Sequence, residues 1–270
     1  MHEKQLIQLN TTRANIMSNP FKYGDIAYQD LQLVNRQTMS QQGINPTAWL
    51  DIAAALQLIP ITAGECKRVC SFLPIVFSPI DKPMPIAITS FTPGKNPLFV
   101  DGQWQEHTYI PAAIRRYPFA LADLDKEGKR LLYVDATTLN ANNSSKLFDD
   151  KGENTQLLEQ AIKHCRNFDI EIHQTIDMVK LIDDIGLFKE TQLIITTKDG
   201  TEKKTSPFKI IDIEKLNQLS DSDIVRLQKT QALAMIYAHF ISMNQIEAIT
   251  RQSLHIENER TYQTGATADK

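Results

Sequence analysis

Between Leu157 and Ile182 apolar side chains return every three or four positions: Leu157, Ala161, Cys165, Phe168, Ile172, Ile176, Val179 and Ile182. That is the spacing of one face of an α-helix, and Gly186 just beyond supplies a stop. Helices are held in proteins mainly by packing of such a face rather than by intrinsic propensity. A stripe this long therefore demands an extended apolar surface to lie on, and the pattern predicts that it lies on a sheet.

The material for a sheet is present on both sides of the stripe. FLPIVFSP (Phe72 to Pro79), PIAITSF (Pro85 to Phe91), PLFVDG (Pro97 to Gly102), RLLYVDA (Arg130 to Ala136), QLIITT (Gln192 to Thr197) and FKIIDI (Phe208 to Ile213) are short apolar or β-branched runs bounded by Pro, Gly, Asp or Asn. Such runs read as strands joined by turns. Asp199-Gly200, between the last two runs, is a favoured hairpin dipeptide and predicts that they pair. Trp49, Ile52, Ala53 and Leu56 fall at helical spacing after Pro46, which predicts a short amphipathic helix over Pro46 to Leu58. A second long helix is expected from Ser220, placed to cap the first free amides, with Asp223 favourable at its N-terminus and an apolar face running through Leu227, Leu233, Ile236, Tyr237, Phe240 and Ile246.

These elements predict an α+β protein: mostly antiparallel sheet from about Phe72 to Ile213, long helices packed on it, and a carboxy-terminal helical section. Residues 1–43, rich in Gln, Asn and Thr with turn signals at Asn19-Pro20 and Tyr23-Gly24, are expected to be extended or loosely packed. The α+β domain is expected over 44–251, and the polar stretch 252–270 as a frayed tail.

Composition removes several function classes. The formal charge of -3 is spread without a basic block, whereas binding nucleic acid requires clustered Lys and Arg to neutralise phosphates. The start, MHEKQLIQLN, shows no secretory signal, so the expected location is the cytoplasm. The apolar stretch from Ala232 to Met243, interrupted by His239, is much shorter than the roughly 20 residues that span a bilayer, so membrane insertion is not expected. Three cysteines, Cys66, Cys70 and Cys165, suit a reducing compartment better than a disulfide framework.

The residues able to carry chemistry are few. Arg115 and Arg116, followed by Tyr117 and Pro118, set two permanent cations beside an aromatic ring and form a candidate clamp for a carboxylate or phosphate. Against it stands an Arg held by a core carboxylate such as Asp101 or Asp135. Adjacent helical positions point about 100° apart, so one of the two arginines is expected to be structural. His239, with Tyr237 two positions earlier, is a candidate general base, weighed against a core histidine hydrogen-bonded once; no relay partner and no G-x-S-x-G elbow accompany it.

Cys66 and Cys70 would share one side of a helix but have no further metal ligands nearby, while His164 and Cys165 diverge and His173 falls on another phase. Asp149 and Asp150 before Lys151-Gly152 lack the spaced oxygens of a calcium loop and read as a turn. Glycine-rich phosphate signatures are absent. No metal and no cofactor are expected.

Four stretches, FLPIVFSP, YIPAAIRRYPFALA (Tyr109 to Ala122), LFDDKGE (Leu147 to Glu153) and ALAMIYAHFISMNQIEAI (Ala232 to Ile249), in this order and spacing resemble the SapC family, with RRYPF (Arg115 to Phe119) the most specific. The resemblance implies an association with bacterial surface layers (S-layers) and with peptide-modifying enzymes, and no particular reaction. Taken with the residues, it implies a non-catalytic accessory or binding protein of surface-layer or cell-envelope biogenesis, with a protein partner from surface-layer or peptide-modification machinery. The alternative is an enzyme or ligand-binding protein acting on a peptide or small anionic molecule through Arg115, Arg116, Tyr117 and His239. A surface-layer subunit at the cell surface is a third reading.

Overall fold

The structure, a computed structural model, describes residues 26, 28–81, 83–92, 94–123, 130–196 and 202–253. In chain order its main elements are β1 (Leu31–Leu33), α1 (Ala48–Ala55), β2 (Leu58–Pro60), α2 (Ala63–Val69), β3 (Ile75–Phe77), β4 (Pro85–Ile88), α3 (Ala112–Arg115), β5 (Phe119–Asp123), β6 (Arg130–Asp135), α4 (Gln156–Asp184), β7 (Phe188–Thr191), β8 (Phe208–Ile211), α5 (Asp221–Lys229) and α6 (Ala232–Ser242). The fold is α+β with antiparallel sheets, as the sequence pattern predicts.

A five-stranded sheet runs β7-β8-β3-β4-β2. Its central strands β3 and β4 are buried at every residue, which explains why the sequence there is continuously apolar instead of alternating. The two faces still separate with period two. Ile75, Phe77, Ala87 and Ile59 belong to the main core, whereas Val76, Ile86, Ile88 and Phe208 form a smaller cluster on the other face. A second sheet, β1-β6-β5, pairs Leu31 with Asp135 and Phe119 with Val134. It packs a separate cluster of Phe119, Val134, Leu147, Phe148, Leu158 and Cys165.

Helix α4 is 29 residues long, roughly 43 Å at 1.5 Å per residue. Its N-cap Thr155 accepts a hydrogen bond from Leu158 N at 3.4 Å, and Gly186, at φ 76°, follows its end. Of the stripe, Cys165, Phe168, Ile172, Val179 and Ile182 are buried and Leu157, Ala161 and Ile176 partly so, and the helix serves two partners. Leu158 and Cys165 enter the core of the three-stranded sheet, while Phe168, Ile172, Val179 and Ile182 enter the main core, largely against helices α2, α3, α5 and α6. It is a bridge between two cores rather than a cover laid on one sheet.

Four further expectations are corrected. The run Gln192 to Thr197 pairs not with Phe208 to Ile213 but with a nearer strand: Ile194 faces Lys204 and Thr196 faces Glu202. The Asp199-Gly200 turn itself lies outside the described residues. Strand β8 instead joins β7 and β3 in the five-stranded sheet. The long helix expected from Ser220 is broken at Thr230 and Gln231, where Gln231 adopts a left-handed φ of 63°. Ser220 does cap α5, accepting from Asp223 N at 3.2 Å. Tyr237, 55% exposed, points outward from α6 instead of joining its buried face. The helix expected over Pro46 to Leu58 ends at Ala55, and Leu58 opens strand β2.

Within the described part of residues 1–43, β1 is an edge strand of the second sheet, and Ile26 and Met39 are buried. The turn signals at Asn19-Pro20 and Tyr23-Gly24, and residues 254–270, lie outside the described residues. Among the described residues no helix is long and apolar enough to cross a membrane.

Candidate functional site

The Arg-Arg-Tyr-Pro stretch sits where short helix α3 hands over to strand β5. Four residues make a weak helix in isolation, and this one is fixed from outside. Ala112 N donates to Glu65 Oε1 at 2.6 Å, and Arg116 N donates to Ala112 O at 3.0 Å. The handover points consecutive side chains in different directions, so the two arginines diverge as helical geometry requires.

Arg115 is exposed and committed locally. Its Nε donates to Ile110 O at 3.0 Å and its Nη2 to Tyr109 Oη at 2.9 Å, with the guanidinium 5.4 Å from the Tyr109 ring centroid. Tyr109 Oη in turn donates a hydrogen bond to Glu65 Oε1 at 3.1 Å. Burial, reinforced by the Glu65 charge, pushes the Tyr109 hydroxyl up to about 12.

Arg116 turns inward and is 9% exposed. Its guanidinium carbon lies 4.4 Å from the Phe168 ring centroid and 5.9 Å from that of Tyr28. Its buried Nε has no hydrogen-bond partner, and no carboxylate among the described residues pairs with it. Asp135, one of the carboxylates named as its core partner, is fully buried but otherwise engaged; Asp101, the other, sits in an exposed turn.

Asp135 gathers donors from three places. Oδ2 accepts from Gln29 N at 2.8 Å and Tyr117 Oη at 3.2 Å. Oδ1 accepts from Asp30 N at 3.2 Å, Thr137 N at 3.2 Å and Thr137 Oγ1 at 2.8 Å. Burial alone would raise its pKa, but these bonds hold the carboxyl below its ordinary value. Tyr117, whose hydroxyl is pushed up to about 12 by burial and by the Asp135 charge, is thereby an anchor for the aspartate.

Glu65 is the site residue that the sequence reading passed over. It is 3% exposed and closes a capping box by accepting from Thr62 N at 2.9 Å. Burial raises its pKa against four opposing hydrogen-bond contributions, from Ala112, Thr62, Tyr109 and the Thr62 side chain. The Thr-x-x-Glu signature of a helix start, Thr62 to Glu65, was the available signal. Tyr28 had none, since no local pattern says that a ring will reach across to Arg116.

His239 lies elsewhere, on α6 against the five-stranded sheet, and shares no partner with the arginines. Its Nδ1 is 2.6 Å from Ile75 O, and its Nε2 accepts from Ile211 N at 3.3 Å. These contacts fix a neutral ring with Nδ1 as donor, and burial holds its pKa below the ordinary value. The histidine thus ties α6 to β3 and β8, with one bond more than the sequence reading gave it.

The cysteines are buried thiols. Burial raises the pKa of Cys66, and that of Cys165 to about 11 although Arg116 opposes the shift. Asp149 Oδ1 accepts from Lys151 N and Glu153 N at 2.9 and 2.8 Å, the turn that the sequence suggests. Among the described residues no group of three His, Cys, Asp or Glu is placed to hold a metal ion.

A protein-family model described as SapC matches residues 34–249, beginning well upstream of the four stretches that carry the resemblance. No curated protein and no solved structure matches the chain.

Proposed function

The chain belongs to the SapC family, whose model spans most of its length, and from that premise we propose that it is a non-catalytic accessory or binding protein of surface-layer or cell-envelope biogenesis, acting in the cytoplasm. The observation that carries this reading is the commitment of His239. A general base needs a free lone pair within reach of the proton it removes, and here Nε2 is taken by Ile211 N while Nδ1 serves Ile75 O. Other titratable groups are engaged in the same way. Asp135 and Glu65 each fasten loop and helix backbone, and Cys66 and Cys165 are buried thiols with raised pKa, far from the thiolate that nucleophilic work requires.

The expected partner is a protein of the surface-layer or peptide-modification machinery. Affinity purification of the tagged full chain from its native cells, followed by fractionation, tests this. The expected result is stoichiometric co-purification of one such protein with the cytosolic fraction. Recovery as a solitary monomer at native expression level would refute it.

A further inference from the structure

The guanidinium of Arg116 carries a full charge, since arginine does not deprotonate in proteins. Placing such a charge out of water without a counter-ion is unfavourable, and pairing normally compensates it. Here the compensation within the described residues is incomplete. The faces of Phe168 and Tyr28 offer cation–π attraction, yet Nε has no acceptor. The neighbouring groups do not supply an anion: Cys165 is held as a neutral thiol, and the Tyr117 hydroxyl is turned to Asp135. We infer that Arg116 is the receptor for a ligand carboxylate, held between the Phe168 and Tyr28 rings.

The local charge selects the class of anion. Among the described residues Arg115 adds no second cation beside Arg116, because it is exposed and bonded to Tyr109 and Ile110. Ionised Asp135 stands one side chain away through Tyr117, whose ring is 5.6 Å from that of Tyr28. A single positive charge beside a fixed negative one matches a monovalent carboxylate and disfavours a dianionic phosphate. A planar carboxylate also suits the edge of a guanidinium flanked by rings. The inference does not depend on the accessory role, and its test involves no partner protein.

The test is thermal unfolding of the full chain in sodium benzoate, sodium acetate, sodium phosphate and sodium chloride at matched ionic strength, for the wild type and Arg116→Met. The wild type is expected to gain roughly 2–4 °C, saturably, in benzoate or acetate over chloride, because a ligand that binds only the folded state stabilises it. Phosphate is expected to add nothing over chloride. Arg116→Met keeps an apolar stem between the rings and removes the uncompensated charge. It is expected to melt no lower than the wild type in chloride and to lose the carboxylate response. Arg116→Lys, which keeps the charge but not the fork, is expected to weaken the response at least fivefold in midpoint concentration.

A wild type indifferent to carboxylates, or an Arg116→Met variant that responds as the wild type does, overturns the assignment. So does Arg116→Met melting well below the wild type in chloride, which would make the arginine a structural stack. A phosphate response equal to that of benzoate overturns the choice of carboxylate.

Discussion

Replacing Asp135 by Asn removes one charge and almost no volume, which isolates what its carboxylate does. Oδ1 accepts from Asp30 N, Thr137 N and Thr137 Oγ1, and an asparagine oxygen placed there keeps all of them. The amide nitrogen then replaces Oδ2 and confronts the Gln29 N–H, a donor 2.8 Å away. Tyr117 Oη can rotate to accept from the new amide, exchanging a charged bond for a neutral one. A hydrogen bond to a charged group is worth about 1.5–3 kcal/mol and a neutral one about 1, so Asp135→Asn should cost about 2–4 kcal/mol. Tyr117→Phe, which deletes one long bond to the carboxylate, 3.2 Å, and leaves the others, should cost about 1.5 kcal/mol, the low end of the charged range.

Urea unfolding at unchanged m-value measures both, and hydrogen exchange at the Gln29 and Asp30 amides locates the loss at the junction of β1 with β6. The pH dependence has a fixed sign. The folded-state pKa of Asp135 is lowered from 3.8, so its contribution is complete above that value and is lost as the pH falls through the folded one. The gap between wild type and Asp135→Asn should therefore narrow in acid below pH 3.8. A loss under about 1 kcal/mol for Asp135→Asn, or one no larger than that of Tyr117→Phe, would refute the reasoning.

Other consequences are equally direct. His239→Leu should cost about 2–4 kcal/mol by orphaning Ile75 O and Ile211 N, read as a lower denaturation midpoint. Because the folded-state pKa of His239 is depressed below 6.5, its charging in the unfolded chain should erode wild-type stability as the pH falls below that value, and His239→Leu should lack this slope. Glu65→Gln should cost about 1–2 kcal/mol near neutrality. Glu65 has a raised folded-state pKa, so the wild type binds its proton more readily when folded and should gain relative to Glu65→Gln as the pH falls toward 4.5. Gly152→Ala should lower the thermal midpoint, since its φ of 77° is left-handed and an added Cβ would come within 2.6 Å of the Arg36 guanidinium carbon; an unchanged midpoint would show that Arg36 moves away without loss.

How far the sequence could be read depended on the range of the interaction. The α4 stripe and the Ser220 cap are local, set by spacing and by one side chain meeting its own helix, and both are present. The runs at Ile75–Phe77 and Pro85–Ile88 could be recognised because burial on both faces leaves them wholly apolar. Pairing was less accessible: Asp199-Gly200 announces a turn without saying which later residues return, and the nearer strand had too little apolar character to stand out. The break at Gln231 has neither Gly nor Pro to mark it. At the candidate site, helical geometry foretold that Arg115 and Arg116 would part. Nothing in the sequence could show that Arg116 meets Tyr28 and Phe168, which reach it from distant parts of the chain.

Helix α4 commits two cores to a common angular phase. Each inserted residue in a helix advances everything after it by about 100°, so an extra alanine between Cys165 and Phe168 would leave Leu158 and Cys165 seated while swinging Phe168, Ile172, Val179 and Ile182 off the main core. Length changes that a surface loop would absorb are thus forbidden at this joint, and among homologous chains that keep both cores the distance in residues from Cys165 to Phe168 should be invariant even where the side chains themselves drift.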